Sequence, residues 1–330
     1  MIGKMAGEVD RPAPNAVRDP KKMISRPTSF AFIVIVAALV GLTCHGRIPP
    51  ATLVPSSTSR ISFQTLNLTA SQFVAGSKEG SSVTIFGDLL FPPGSAHAPA
   101  VILFHGSAGV TGAERGWAAY LPRIGIATFM VDSFTPRGIT GAPTEEKLSR
   151  AGQVVDTFRA LELLATHPRI DRNRIALMGF SRGGGQTILA TVQQFRLGYL
   201  PPWLDFAAYI AFYPTLRPTA NLIATQVPDH PVRIFHGTLD DSEPIATVRE
   251  YVERVRREGA DAQLFEFAGA HHSFDNPRLV KTVRDSRGFT VAYDAQAHQQ
   301  AIEKVEESLV SIFRLKRKGS EEIFDSAEKP

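Results

Sequence analysis

Short apolar runs recur along the chain, each followed by a stretch with helical spacing: "AVILFHG" from Ala100, "IATFMVD" from Ile126, "RIALMGF" from Arg174, "FAAYIAFYP" from Phe206, "PVRIFHG" from Pro231 and "AQLFEFAG" from Ala262. Runs this apolar offer no face to water. They suit strands buried on both sides, and hence a mostly parallel sheet with helices on each face. The spacing predicts helices near Glu114–Ile124, around Lys147–Thr166, over "GGQTILATVQQF" after Ser181, and over Ile245–Arg257, with a closing helix that places Ile302, Val305, Leu309 and Ile312 in register. In the second of these, Leu148, Ala151, Val155, Phe158 and Leu161 make one apolar face. Two further strand-like runs, Ile61–Leu68 and Val83–Phe91, come first and are expected to pair antiparallel at the sheet edge. The expected fold is therefore α/β: a single doubly wound, mostly parallel sheet with antiparallel N-terminal edge strands.

The length of 330 residues is enough for one large α/β domain. The net charge of +4 is concentrated at one end, because six basic and three acidic residues before Thr28 supply +3 of it. The remainder is nearly neutral, so a nucleic-acid partner is not expected. The "RLKRK" cluster, Arg314 to Lys318, suits a solvated helix end whose cations complement the dipole.

Phe30 to Leu42, "FAFIVIVAALVGL", has the length of a signal-peptide apolar region and is short for a membrane span of ~20 residues. Basic residues precede it and a Pro/Ser-rich stretch follows. Residues 1–46 are accordingly expected to be a signal peptide, cleaved near Cys44 to Gly46, or an N-terminal membrane anchor, and any membrane association is expected only through residues 30–44. A start at Met23 would give a more compact leader than one at Met1. Cys44 is the only cysteine, so no intrachain disulfide can form. After a linker at 47–60, the α/β domain is expected over 61–317 and a disordered tail over 318–330.

In open α/β sheets the working groups collect at the carboxyl ends of strands. "RIALMGFSRGGGQTILA" sets Ser181 between Gly179 and Gly183, after a strand and before a helix, which is the pattern of a nucleophile elbow. "PVRIFHGTLDDSEP" ends a strand in Asp240 and Asp241, and "EFAGAHHSFD" ends another in His271 and His272. A serine hydroxyl is a poor nucleophile until an imidazole accepts its proton, and a carboxylate must orient that imidazole. Serine, aspartate and histidine, each after its own strand and in that order, fit this requirement. "VILFHGSAGV" ends in a Gly-punctuated turn whose Ser107 amide can join that of Arg182 in an oxyanion hole, with His105 fixing the loop. Arg137 in "SFTPRG" is a candidate for an anionic substrate group, or else a structurally paired arginine.

Together "FHGSAG", "VDSFTPRG", "IDRNRIALMGFSRGG", "HGTLDDSEP", "GAHHSFD" and "YDAQAHQQAIEKV" resemble the dienelactone hydrolase family of α/β hydrolases over roughly residues 80 to 315. The resemblance implies an α/β-hydrolase fold, a triad of Ser181, Asp240 and His272, and hydrolysis of esters or lactones with no metal and no organic cofactor. The family patterns D-x-x-x-P and H-x-F favour Asp240, four residues before Pro244, and His272, two before Phe274. Founding members have cysteine where Ser181 stands, glutamate where Gly106 stands and arginine near Asn276. These departures argue against their unsaturated dicarboxylate lactone as the substrate. A peptidase or acyltransferase with the same triad, or a secreted binding protein that kept the fold, are the alternatives.

Overall fold

The structure, a computed structural model, describes residues 58–315. The expected leader or anchor at 1–46, most of the linker and the tail at 318–330 lie outside the described residues. Strands β1 (Ser59–Asn67) and β2 (Ser81–Leu90) flank a short helix α1 (Ala70–Val74) and pair antiparallel, as the two N-terminal runs led us to expect. The alternation then follows: β3 (Ala98–Phe104), α2 (Gly112–Tyr120), β4 (Ala127–Asp132), α3 (Arg150–Ala165), β5 (Ile170–Phe180), α4 (Arg182–Leu189) and α5 (Gln193–Tyr199). It continues with β6 (Ala208–Phe212), α6 (Ala220–Ile223), β7 (Val232–Gly237), α7 (Ile245–Arg257) and β8 (Ala262–Phe267). A small hairpin, β9 (Val283–Arg284) and β10 (Thr290–Val291), precedes the closing helix α8 (Ala295–Phe313).

Eight strands make one sheet in the order β1-β2-β4-β3-β5-β6-β7-β8. β2 runs antiparallel to β4, and every pair from β4 to β8 is parallel. Parallel pairing buries both faces, and the side chains divide accordingly. In β3, Ala100, Ile102 and Phe104 join the core beneath α3, α4 and α7, whereas Val101 and Leu103 join the core beneath α2 and α8. Each large apolar side chain removed from water in this way stabilises the fold by roughly 1.5–3 kcal/mol. The chain runs from β3 out to β4 and then returns to β5 on the other side of β3. This reversal opens a crevice at the carboxyl ends of β3 and β5, where α/β sheets hold their ligands.

Helix boundaries differ from the spacing-based expectation in three places, each for a local reason. The residues before Arg150 do not belong to α3: Ala142–Lys147 is a separate 3-10 turn, and Ser149 caps α3 by accepting the Gly152 amide at 2.9 Å. α2 starts at Gly112 because Thr111 and Glu114 form a capping box, and it gives way to a 3-10 turn at Leu121–Ile124 containing Pro122. The helix after Ser181 is two helices: the Thr191 hydroxyl turns back to the Ile188 carbonyl at 2.8 Å and Val192 is extended. In α8 the buried stripe is Ala297, Ala301, Val305, Leu309 and Phe313, so Ile302 and Ile312 sit at its margin. α3 is buried on more than one face, Gln153, Asp156 and Thr157 included, because their polar atoms find partners within the protein.

Candidate active site

β5 ends at Phe180 and α4 begins at Arg182, so the chain must reverse at one residue. Ser181 takes φ 55 and ψ −117, a strained conformation for a side-chain-bearing residue, held by its amide donating to Phe212 O at 2.9 Å and its carbonyl accepting from Gly185 N at 2.9 Å. The flanking glycines are steric requirements of this turn. A Cβ on Gly179 would lie 2.2 Å from the Gly183 carbonyl oxygen, and one on Gly183 would lie 2.4 Å from that of Phe104. The result lifts the Ser181 hydroxyl into the crevice at the end of the sheet.

Two other strand ends meet it there. His272 Nε2 lies 2.8 Å from Ser181 Oγ, and His272 Nδ1 lies 2.7 Å from Asp240 Oδ2. The second Asp240 oxygen accepts the amides of Ser242 and Glu243 at 2.9 and 3.1 Å, which fixes the carboxylate plane. Burial pushes the Asp240 carboxyl up, but the neighbouring His272 and His236 and these hydrogen bonds outweigh it, so its pKa is below the ordinary carboxylate value. An ionised Asp240 makes Nδ1 the donor in this pair, which leaves Nε2 to accept the Ser181 proton. The adjacent candidates face elsewhere. Asp241 accepts from Thr290 N and Oγ1, both at 2.8 Å, and the ring of His271 meets the Leu239 carbonyl at 3.0 Å.

The cleft around Ser181, about 150 Å³, is walled by the Gly106–Gly109 loop after β3, by Tyr213, and by Asn276, Leu279, Asp285, Arg287 and Val291 from the segment after His272. Ser107 is buried beside Ser181, and Arg182 opens α4, whose first-turn amides have no intrahelical acceptor. The His105 ring lies outside the cleft: Nε2 accepts the Ser133 amide at 3.1 Å, and Nδ1 donates to Gly106 O at 2.8 Å, which secures the loop. The Arg182 side chain is likewise occupied, donating to Gln153 Oε1 at 2.6 Å and to the Leu148 carbonyl.

Arg137 does not reach the cleft, which corrects its candidacy for a substrate group. Its guanidinium, 5% exposed, forms a forked pair with Asp156 at 2.9 Å and also donates to Asn67 Oδ1 and Ser133 O. A buried charge that loses its partner costs about 3–5 kcal/mol. Arg137→Ala should therefore lower stability by about that amount in urea denaturation while leaving KM unchanged; a raised KM with native stability would return Arg137 to the substrate.

Sequence reasoning missed several members of the wall, Tyr213 and Arg287 among them. Tyr213, one residue past β6 and hidden in the apolar run of the sequence, packs its ring 4.7 Å from that of His272 at φ 36, and its hydroxyl donates to Asp275 Oδ1 at 2.7 Å. Trp117 Nε1 donates to the other Asp275 oxygen at 2.8 Å. Burial raises the Asp275 pKa, and these two donors partly offset it. Arg287 belongs to a hairpin too short to show a strand period.

Among the described residues one cluster has a metal-binding composition, Asp205, Asp229 and His230. Arg196 already bridges both of its carboxylates, so a guanidinium occupies the position a cation would take. No helix of the described residues is long and apolar enough to cross a membrane.

A nucleophile elbow at the switch point of a mostly parallel sheet, with a histidine and an aspartate hydrogen-bonded behind it, defines the α/β-hydrolase class. The sequence model of the dienelactone hydrolase family matches residues 86–313, and the chain belongs to that family. At the level of the family it is an ester-bond hydrolase. Among solved structures, a dienelactone hydrolase-like promiscuous phosphotriesterase from metagenomic libraries aligns over 77% of this chain and 99% of its own, at 20% identity and a TM-score of 0.57. Esterase 2 of Thermogutta terrifontis, phosphorylated by paraoxon, aligns over 82% and 99%, at 20% identity and a TM-score of 0.56. At such identities the likeness is one of fold. No curated protein matches the chain in sequence.

Proposed function

We propose that Ser181, His272 and Asp240 form a catalytic triad with which the protein hydrolyses compact carboxylic esters or lactones through an acyl-enzyme. The observation that carries this reading is the unbroken hydrogen-bonded line from Asp240 Oδ2 through the imidazole to Ser181 Oγ. As Ser181 Oγ attacks the carbonyl carbon, His272 Nε2 takes its proton and Asp240 stabilises the imidazolium. The oxyanion is received by the amides of Ser107 and Arg182, and loss of one such donor typically costs ~2.7–4 kcal/mol in the transition state. The imidazolium then protonates the departing alkoxide. A water molecule, deprotonated by His272, cleaves the acyl-enzyme and restores the serine.

The cleft's volume of about 150 Å³ is small beside the ~300–1,000 Å³ common for ligand sites, which supports short acyl groups. Two assays test the proposal. Paraoxon, which phosphorylated the Thermogutta esterase, should modify this protein on the peptide containing Ser181, and short-chain nitrophenyl esters should be turned over faster than long-chain esters or peptides. Modification elsewhere, or preferred cleavage of peptides, would replace the esterase reading.

We further propose export, supported by the apolar run Phe30–Leu42 behind basic residues. N-terminal sequencing of the mature protein should begin between roughly residues 43 and 50. An intact N-terminus in the membrane fraction would establish an anchor instead.

A further inference from the structure

We propose that Arg287 is a positioning residue: from the tip of the β9–β10 hairpin it fixes the loop that presents the Ser107 amide to the reacting carbonyl oxygen. The inference rests on the reading of Ser181 as the nucleophile. The hairpin is a strap across the carboxyl ends of three strands. At its base, Thr290 is tied to Asp241, next to Asp240, and the Ala292 amide donates to His272 O at 3.2 Å. At its tip, Asp285 organises the turn, one oxygen accepting the amides of Arg287 and Phe289 at 2.9 and 3.0 Å.

The other Asp285 oxygen accepts Arg287 Nε at 3.0 Å and Nη2 at 2.7 Å. A guanidinium is planar and rigid, so fixing two of its nitrogens aims the third. That nitrogen, Nη1, donates to Ser107 Oγ at 3.3 Å. Ser107 needs such a tether. The bonds to Gly106 O from Gly109 N and His105 Nδ1 hold the carbonyl before it, whereas Arg287 engages its own side chain. An oxyanion donor is effective only when it is aimed before the charge develops, and a small misplacement in an active site is costly. Arg287 is also the guanidinium left at the cleft wall, since Arg182 and Arg137 are turned toward other partners.

A double-mutant cycle with Arg287→Ala and Ser107→Ala, the latter keeping the amide but losing Oγ, tests the link with p-nitrophenyl acetate in single turnover. Each variant should lower the acylation rate by about tenfold at unchanged KM, and the double variant should be no slower than either single one. Additive losses, or an effect confined to KM, would overturn the proposal, the second by making Arg287 a substrate contact. Hydrogen exchange gives a readout independent of turnover. In Arg287→Ala the peptide spanning residues 105–110 should exchange about tenfold faster, with β5 and α4 unchanged. Unaltered exchange there sinks the positioning role, whereas faster exchange in a protein whose Ser181→Ala variant still hydrolyses esters sinks only the assignment of the nucleophile.

Discussion

Ser181→Ala should fold normally and lose about 10⁴-fold or more in kcat against any ester the protein hydrolyses. Alanine keeps the Cβ, so the elbow retains its shape, the strain at φ 55 is no greater, and the amides of Ser107 and Arg182 stay in place. What disappears is the oxygen proposed to form the acyl-enzyme. In triads of this kind the members act as a unit, and the residual rate comes from binding and the oxyanion hole. The Ser181 side chain contributes little to the core, so thermal midpoints should agree within a few degrees and the lost activity can be read as lost chemistry. An alanine variant that still turns over esters at a comparable rate would exclude an acyl-enzyme on this residue.

The sheet was legible because burial on both faces leaves a mark in local composition. All seven residues of β3 are buried, and a run of that kind suits a strand covered on both faces. Ser181, Asp240 and His272 could be brought together on paper because each follows its own strand, and parallel strands deliver their carboxyl ends to one edge. Contacts that depend on the third dimension left no such mark. Arg137 in "SFTPRG" could be a substrate cation or a paired one, and its partner Asp156 lies on the inner side of a helix that reads as amphipathic, so only packing reveals the pair. Tyr213 is chemically invisible within "FAAYIAFYP" until its hydroxyl is found on Asp275. The β9–β10 hairpin escaped for another reason. Its strands have two residues each, they are exposed in β9 and half-buried in β10, and they show neither alternation nor an apolar run. Its position is set by Asp241 and the His272 backbone, which are distant in sequence from its tip.

The adjacent aspartates give the sharpest remaining test, because they differ in environment more than in chemistry. Asp240→Asn should reduce kcat by about 10⁴, and Asp241→Asn should cost only about 1 kcal/mol of stability with at most a few-fold change in rate. An amide at position 240 can turn its NH₂ toward His272 Nδ1, in place of the oxygen that now lies 2.7 Å away, and so favour the tautomer with hydrogen on Nε2. That ring cannot accept the serine proton, and the forming imidazolium loses its counter-charge as well. Asp241 serves the hairpin instead, accepting from Thr290 N and Oγ1, and an asparagine oxygen can retain one of those bonds. The pH dependence separates the two further. Because the Asp240 pKa is depressed on folding, the stability it contributes is present above the unfolded carboxylate value and is lost as the pH falls through the lower folded value. Asp240→Asn should therefore flatten acid unfolding below about pH 4, the ordinary range of an aspartate, and the stability it removes on this account should be missing at neutrality and no longer missed in acid. A large kinetic loss confined to Asp241→Asn would shift the triad by one residue, and equal losses in both variants would mean that the hairpin and the imidazole are held as one unit.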